Sequence, residues 1–317
     1  MGILLSAIAL VAFGSTFFYR EGKERDEENL VVVTSFYPMY IATENLVKGR
    51  EHLTLESLSE PQTGCLHDYQ LTPEDMKLLA EADIFVVNGG GIEEFLTDVA
   101  KQYPDLVIVN ASEGVELLES YGAHAHEEHV SSNEGDVKGA ETAGDLAENA
   151  NAHAWMSIPV HRQQLKNICS GLSLADPAGE ELYRRNLASY DEKLAALQEE
   201  QEDLKREFAG RPVVLFHEAY AYVAKDYGMH VLSVMDLDEE RQISAGEVAQ
   251  VMDTIKSGAV PLVLAEEQYG KKMGDMVERE TSADVCYLDT LVRGDYDSDS
   301  YVMRMEKNIS ILRETVR

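Results

Sequence analysis

One stretch limits the possible folds more than any other. After Asp176-Pro177, the residues Tyr183, Leu187, Tyr190, Leu194, Leu197, Gln201, Leu204 and Phe208 recur at alternating spacings of four and three. That is the period of a single helix face. Pro177 supplies a helix start and Gly210-Arg211-Pro212 a helix stop. Only Gln201 breaks the apolar stripe. The linking helix is read within 176–210, and eight turns of it would span about 40–45 Å. A coiled-coil dimer has the same pattern, but roughly four heptads between two α/β regions favour a strut within one chain.

On either side the patterns match. Leu30 to Phe36, His52 to Ser57, Asp83 to Asn88 and Leu106 to Val109 are short apolar or β-branched runs ended by turn residues. They read as buried strands of a parallel sheet, with helical periodicity over Pro38–Val47 and Thr72–Ala82 between them. Thr72-Pro73-Glu74-Asp75 has the residues of a capped helix start. The second half repeats this with Pro212–Phe216, Val231–Val234, Pro261–Ala265 and Val285–Leu288. The expected fold is α/β, with two similar parallel-sheet lobes joined by one long rigid helix. The expected divisions are a leader (1–29), an N-terminal lobe (30–175), the linking helix (176–210) and a C-terminal lobe (211–317). Within the first lobe, 121–150 lacks apolar periodicity. It carries His124, His126 and His129, then seven acids against one lysine from Glu127 to Glu148. It reads as a mobile loop, either inert or a weak metal collector.

Composition narrows the partners. Among 317 residues, 27 Lys and Arg face 58 Asp and Glu, a net charge of −31. Such a surface repels nucleic acid and anionic membranes and attracts cations. Three cysteines without C-x-x-C spacing supply neither a disulfide framework nor a thiolate zinc site, so histidine and carboxylate must hold any metal. Met1 to Tyr19 has no charged side chain, and Arg20 is the first cation. This suits a secretory signal, with Ala12-Phe13-Gly14 as a cleavage site, or an uncleaved N-terminal anchor. No cysteine lies at 15–25 to carry a lipid. The body is therefore expected outside the cytoplasmic membrane.

Ligands of open α/β sheets sit beyond the carboxyl ends of strands. His67 follows the second strand, His153 precedes Trp155, His217 follows Phe216 and Asp289 follows Leu288. A cleft between facing lobes would gather three imidazoles and a carboxylate, a donor set suited to zinc. Glu218 and Glu266 stand where they could orient an imidazole. On spacing alone each histidine could equally be a polar surface residue, and Asp289 could cap a turn. There is no H-E-x-x-H and no G-x-x-x-x-G-K-[ST].

Ordered local motifs say more. Val33-Thr34-Ser35-Phe36-Tyr37-Pro38-Met39-Tyr40 is followed by Gly64-Cys65-Leu66-His67-Asp68-Tyr69-Gln70-Leu71-Thr72-Pro73, then Asn88-Gly89-Gly90-Gly91 and Ala152-His153-Ala154-Trp155. Phe216-His217-Glu218-Ala219-Tyr220 and Tyr287-Leu288-Asp289-Thr290-Leu291 complete the series. From about Leu30 onward the chain resembles the solute-binding proteins of zinc/manganese ABC importers. The resemblance implies a metal site of His67, His153, His217 and Asp289 in the inter-lobe cleft. His217 occupies a position where manganese members look to have Glu, so zinc is the expected ion and manganese or iron the alternative. It also implies a binding protein delivering Zn²⁺ to a membrane permease, expected to be a monomer. The histidine loop matches a tract that zinc members often carry. Cys65 is expected to be a free thiol, and Ala152 and Ala154 replace residues that are usually larger or acidic. The rival classes are a zinc-dependent hydrolase using Glu218 or Glu266 as base, and a surface adhesin or zinc buffer.

Overall fold

The computed structural model describes residues 29–63, 69–121, 150–235, 237 and 243–316. The leader, His67, Cys65 and the three loop histidines lie outside the described residues. Among the described residues, no helix is long and apolar enough to cross a membrane.

Two four-stranded parallel sheets form, as the repeated pattern predicts. The first contains β1 (Leu30–Thr34), β2 (Leu53–Ser57), β3 (Ile84–Val87) and β4 (Val107–Asn110), in the order β2-β1-β3-β4. Its central strand β3 is buried throughout. A two-stranded antiparallel ribbon, β5 (Leu118–Glu119) and β6 (Ala150–Asn151), brackets the histidine-loop segment. Ala150, expected at the end of that loop, is therefore a strand residue, because its neighbour Asn151 pairs with Leu118. The second sheet contains β7 (Pro212–Leu215), β8 (His230–Val234), β9 (Leu262–Ala265) and β10 (Asp284–Tyr287), in the order β10-β9-β7-β8.

In chain order, the helices before the linker are α1 (Tyr37–Val47), α2 (Pro73–Glu81), α3 (Leu96–Gln102) and α4 (Ile158–Ala175). The linker is α5 (Glu180–Phe208), followed by α6 (Tyr220–Asp226), α7 (Ala245–Ser257), α8 (Glu267–Glu280) and α9 (Ser300–Glu314). Thr72 caps α2 as expected, in a reciprocal box with Asp75. The linker starts later than its sequence pattern suggests. Pro177–Gly179 forms a 3-10 turn, and the α-helix begins at Glu180.

The 29 residues of α5 would span about 44 Å. Tyr183, Tyr190, Leu194, Leu197, Leu204 and Phe208 are buried along one face. That face packs on α1 and α4 from the first half and on the C-terminal α9. A single apolar core consequently runs from Val32 and Trp155 through the α5 stripe to Val213 and Leu264. The linker is a shared wall rather than a bare rod. Arg162 of α4 grips Asp191 of α5 with Nε at 2.6 Å and Nη2 at 2.8 Å, a fork geometry that fixes helix register. At the other end Arg50 Nε and the Tyr183 hydroxyl both donate to Asp176, at 2.8 and 2.6 Å.

Gln201, the one polar residue of the stripe, is buried for a reason. Its Nε2 donates to Asp226 Oδ2 at 3.3 Å, while Ser157 Oγ donates to Asp226 Oδ1 at 3.1 Å. Asp226 ends α6 and Ser157 caps α4. One carboxylate therefore joins the linker to both halves.

Burial pushes the Asp226 carboxyl up to about 6, against those two hydrogen bonds. The native state then holds a proton that the unfolded chain has released, so stability falls as pH rises from about 4 through 6. Asp226→Asn keeps the shape and removes the charge. It is expected to flatten this part of the pH dependence and to be more stable than the parent at pH 7.5, by on the order of 2 kcal/mol. Denaturant melts at pH 4.5 and 7.5 measure it. An unchanged pH slope would show that Asp226 does not titrate in this window.

Candidate metal centre

The carboxyl ends of the two sheets meet across the chain's midline, and hydrogen bonds hold them there. Trp155 Nε1 donates to the Thr290 carbonyl at 2.9 Å, and Tyr301 Oη donates to the Trp155 carbonyl at 2.8 Å. Tyr220 Oη donates to the Leu288 carbonyl at 2.7 Å. Tyr37, at the start of α1, donates to the Asp295 carbonyl at 2.9 Å and meets Ser300 Oγ at 2.6 Å. The segments bearing His153, His217 and Asp289 are thus tied together by buried donors that must be satisfied.

His153 and His217 come together as expected. Their rings lie edge to face with centroids 4.9 Å apart, and both side chains are buried. His153 follows β6 and opens the 3-10 turn Ala154–Met156. Its ring also packs 5.2 Å from Trp155, which meets Phe36 edge-on at 5.1 Å. The Asn151 side-chain carbonyl faces His153 Nδ1 at 3.0 Å and accepts the His153 backbone N–H at 3.1 Å. An amide oxygen opposite Nδ1 selects the tautomer protonated there, leaving Nε2 as the donor nitrogen for a metal. Glu218 Oε1 is farther off, 3.8 Å from the same Nδ1, and its Oε2 accepts from Ser120 at 2.7 Å. Asn151 is therefore the nearer of these two partners of His153 Nδ1. The signal was available in sequence: an Asn side chain commonly bonds the backbone two residues on, and Asn151-Ala152-His153 has that spacing.

His217 stands two residues past β7, and its Nδ1 has a long 3.4 Å contact from the Ala219 N–H. Such a contact is too weak to fix a ring.

Asp289 sits at the expected strand end, and the structure gives it two kinds of partner. Its Oδ1 accepts the Leu291 N–H at 2.8 Å, supporting Leu291 at a left-handed φ of 60°. Arg304 of α9 forks onto the carboxylate, with Nε 2.7 Å from Oδ2 and Nη2 2.6 Å from Oδ1. Among the described residues no three His, Cys, Asp or Glu side chains are gathered as a metal-ligand set.

Glu266 occupies the N-cap position of α8 without a side-chain capping bond and pairs with Arg293 at 3.3 Å. Burial pushes its carboxyl up to about 7, with Asp289 adding to the rise and Thr290 and Arg304 opposing it. Glu266, Asp289, Arg293 and Arg304 line a cavity of about 350 Å³, which Gln62 of the first half also borders. Among the described residues Glu266 pairs with Arg293.

Glu93 is a further residue that sequence reading missed. It is buried at the ends of β1 and β3, where it accepts Ser35 Oγ (2.8 Å), Asn88 N (2.7 Å) and Gly89 N (3.0 Å). Burial pushes its carboxyl up to about 7 against those bonds. The strand end it gathers leads straight to His153: Asn88 Nδ2 donates to the Ala152 carbonyl at 2.9 Å. Gly90, at φ 69°, passes so close that a Cβ there would lie 3.3 Å from Ala152 Cα. That close approach leaves little room for a larger side chain at position 152, which is buried and holds alanine.

A sequence model of the family described as zinc-uptake complex component A, periplasmic, matches residues 32–315. The chain belongs to that family. The high-affinity zinc uptake system protein ZnuA of Bacillus subtilis is 27% identical over 99% of this chain and 96% of that protein. The manganese-binding lipoprotein MntA of Halalkalibacterium halodurans is 25% identical over 96% of this chain and 94% of its own length. The solved structure of the solute-binding protein FpvC of Pseudomonas aeruginosa with Ni²⁺ superposes with a TM-score of 0.73, at 22% identity, covering 91% of this chain and 97% of that one. The family is made of metal-binding, extracytoplasmic components of ABC uptake systems, and this chain is one of them rather than an enzyme. The hydrolase reading of Glu218 and Glu266 is overturned on that ground.

Replacing Asn151 by Ala removes the Nδ1 partner without touching a ring nitrogen. It is expected to weaken metal binding by about 10–100-fold, the usual cost of losing such a partner. Competitive titration measures this, with circular dichroism to confirm the fold. An unchanged affinity would show that the 3.0 Å contact does not orient the ring.

Proposed function

We propose that this protein captures Zn²⁺ outside the cytoplasmic membrane and delivers it to the permease of an ABC importer. The proposed ligands are His67, His153, His217 and Asp289. Residues 1–29 would act as export signal or tether, the protein would work as a monomer, and the histidine loop at 124–129 would be an auxiliary collector. The domain divisions at 176 and 210 follow the linking helix. The observation that carries the reading is the pair of buried imidazoles with rings 4.9 Å apart. Nitrogen donors at both positions favour a borderline ion over the harder manganese ion. The family relationship alone leaves the metal open, since relatives named for zinc and for manganese are about equally similar.

Capture needs deprotonated imidazoles, so occupancy should fall as pH drops below about 6.5. Delivery needs no chemistry in this chain, because a permease with its own ATPase would supply the energy.

Metal analysis and competitive titration of protein purified without chelator test the reading. One tight equivalent of zinc is expected, lost in His217→Ala with the fold intact. His217→Glu is expected to shift preference toward manganese. A tighter hold on manganese by the unmodified protein would sink the zinc assignment.

A further inference from the structure

We infer that Arg304 sets the metal selectivity of the site by holding the Asp289 carboxylate; this rests on the ligand set proposed above. A carboxylate offers about four lone-pair positions. Three on Asp289 are in use: Oδ1 takes the Leu291 N–H at 2.8 Å and Arg304 Nη2 at 2.6 Å, and Oδ2 takes Arg304 Nε at 2.7 Å. Only one position, on Oδ2, remains for a cation. Asp289 can therefore bind through a single oxygen and cannot clasp a metal with both.

The arginine is itself held in place. Its Nη1 donates to the Arg293 carbonyl and lies 3.5 Å from the Tyr37 hydroxyl, and its guanidinium sits 5.7 Å from the Tyr37 ring centroid. Asn308, one turn along α9, brackets the Asp289 backbone by accepting its N–H at 2.8 Å and donating to its carbonyl at 2.8 Å. Neither partner of the fork can swing away without breaking further bonds.

The restriction is selective between ions. Zinc is satisfied with four ligands in a tetrahedron, where a one-oxygen carboxylate suffices. Manganese is suited by carboxylate and other oxygen donors and favours a six-ligand shell. A fork that takes both oxygens and offsets the carboxylate's charge penalises manganese more than zinc. Arg304 contacts no metal in this scheme. It acts through Asp289 as a positioning residue.

The test is a double-mutant cycle on the full chain, reading the ratio of zinc to manganese affinity by competitive titration. Arg304→Gln is expected to improve manganese binding relative to zinc by about tenfold, the worth of one charge-assisted contact. Arg304→Lys, which keeps the charge and loses the fork, should shift the ratio in the same direction. In the Asp289→Asn background, Arg304→Gln should leave the ratio unchanged. Melting curves of each variant confirm folding. An unaltered ratio in Arg304→Gln, or an equal shift with and without Asp289, overturns the inference while leaving zinc capture standing. Failure of the parent protein to bind either ion overturns the capture reading, and this inference with it.

Discussion

The apolar face of α5 is the constraint on which the other features depend. A parallel sheet must be covered on both faces, and helices from both halves of the chain pack in turn on α5. The stripe from Tyr183 to Phe208 is buried against α1, α4 and α9, so that one helix backs elements of both halves. Because the same residues belong to one core with Trp155, Tyr222 and Tyr301, the halves cannot separate without exposing apolar surface to water. The carboxyl ends of the sheets are consequently held in fixed opposition.

Directional bonds then refine what the core sets roughly. Trp155 to Thr290, Tyr220 to Leu288 and Tyr37 to Ser300 each cross between segments far apart in sequence. The first two end within a residue of Asp289. Buried hydroxyls and an indole N–H cost free energy when unpaired, so each of these bonds locks the loop that carries its acceptor. The segments bearing His153, His217 and Asp289 are the places where these buried polar atoms are satisfied.

Much of this was legible in the sequence, and the rest was not for identifiable reasons. All eight sheet strands fall within a residue or two of the runs read from the sequence, and in the central strands β3 and β9 burial on both faces leaves a continuous apolar signature. The linker was readable from its period, and Gln201 stood out because it interrupts that period. What it bonds was not readable, since Asp226 reaches it only after α6 has folded back. The same holds for Arg304: nothing in the sequence shows that the fifteenth residue after Asp289 returns to clasp it, since that depends on how α9 packs. Asn151 is the exception, a local contact within reach of turn chemistry. Glu93 was hidden because a carboxylate near a glycine run looks like a surface residue until the strand-end N–H groups close on it.

Charge shows how such a site could both collect and release its ion. In the proposed set, the three imidazoles are neutral and the one carboxylate is already opposed by Arg304. Those four side chains therefore bring little net anionic charge to a divalent cation, although the chain as a whole carries −31. The distributed charge attracts cations from a distance and raises their encounter rate. In the proposed set the hold on an ion would come instead from nitrogen donors, one of them facing an uncharged amide. Long-range attraction is screened by salt, whereas donor bonds lapse when an imidazole is protonated or a ligand segment is displaced. Docking to a permease that moves one ligand segment would weaken the donor bonds without having to overcome a strong local anionic field.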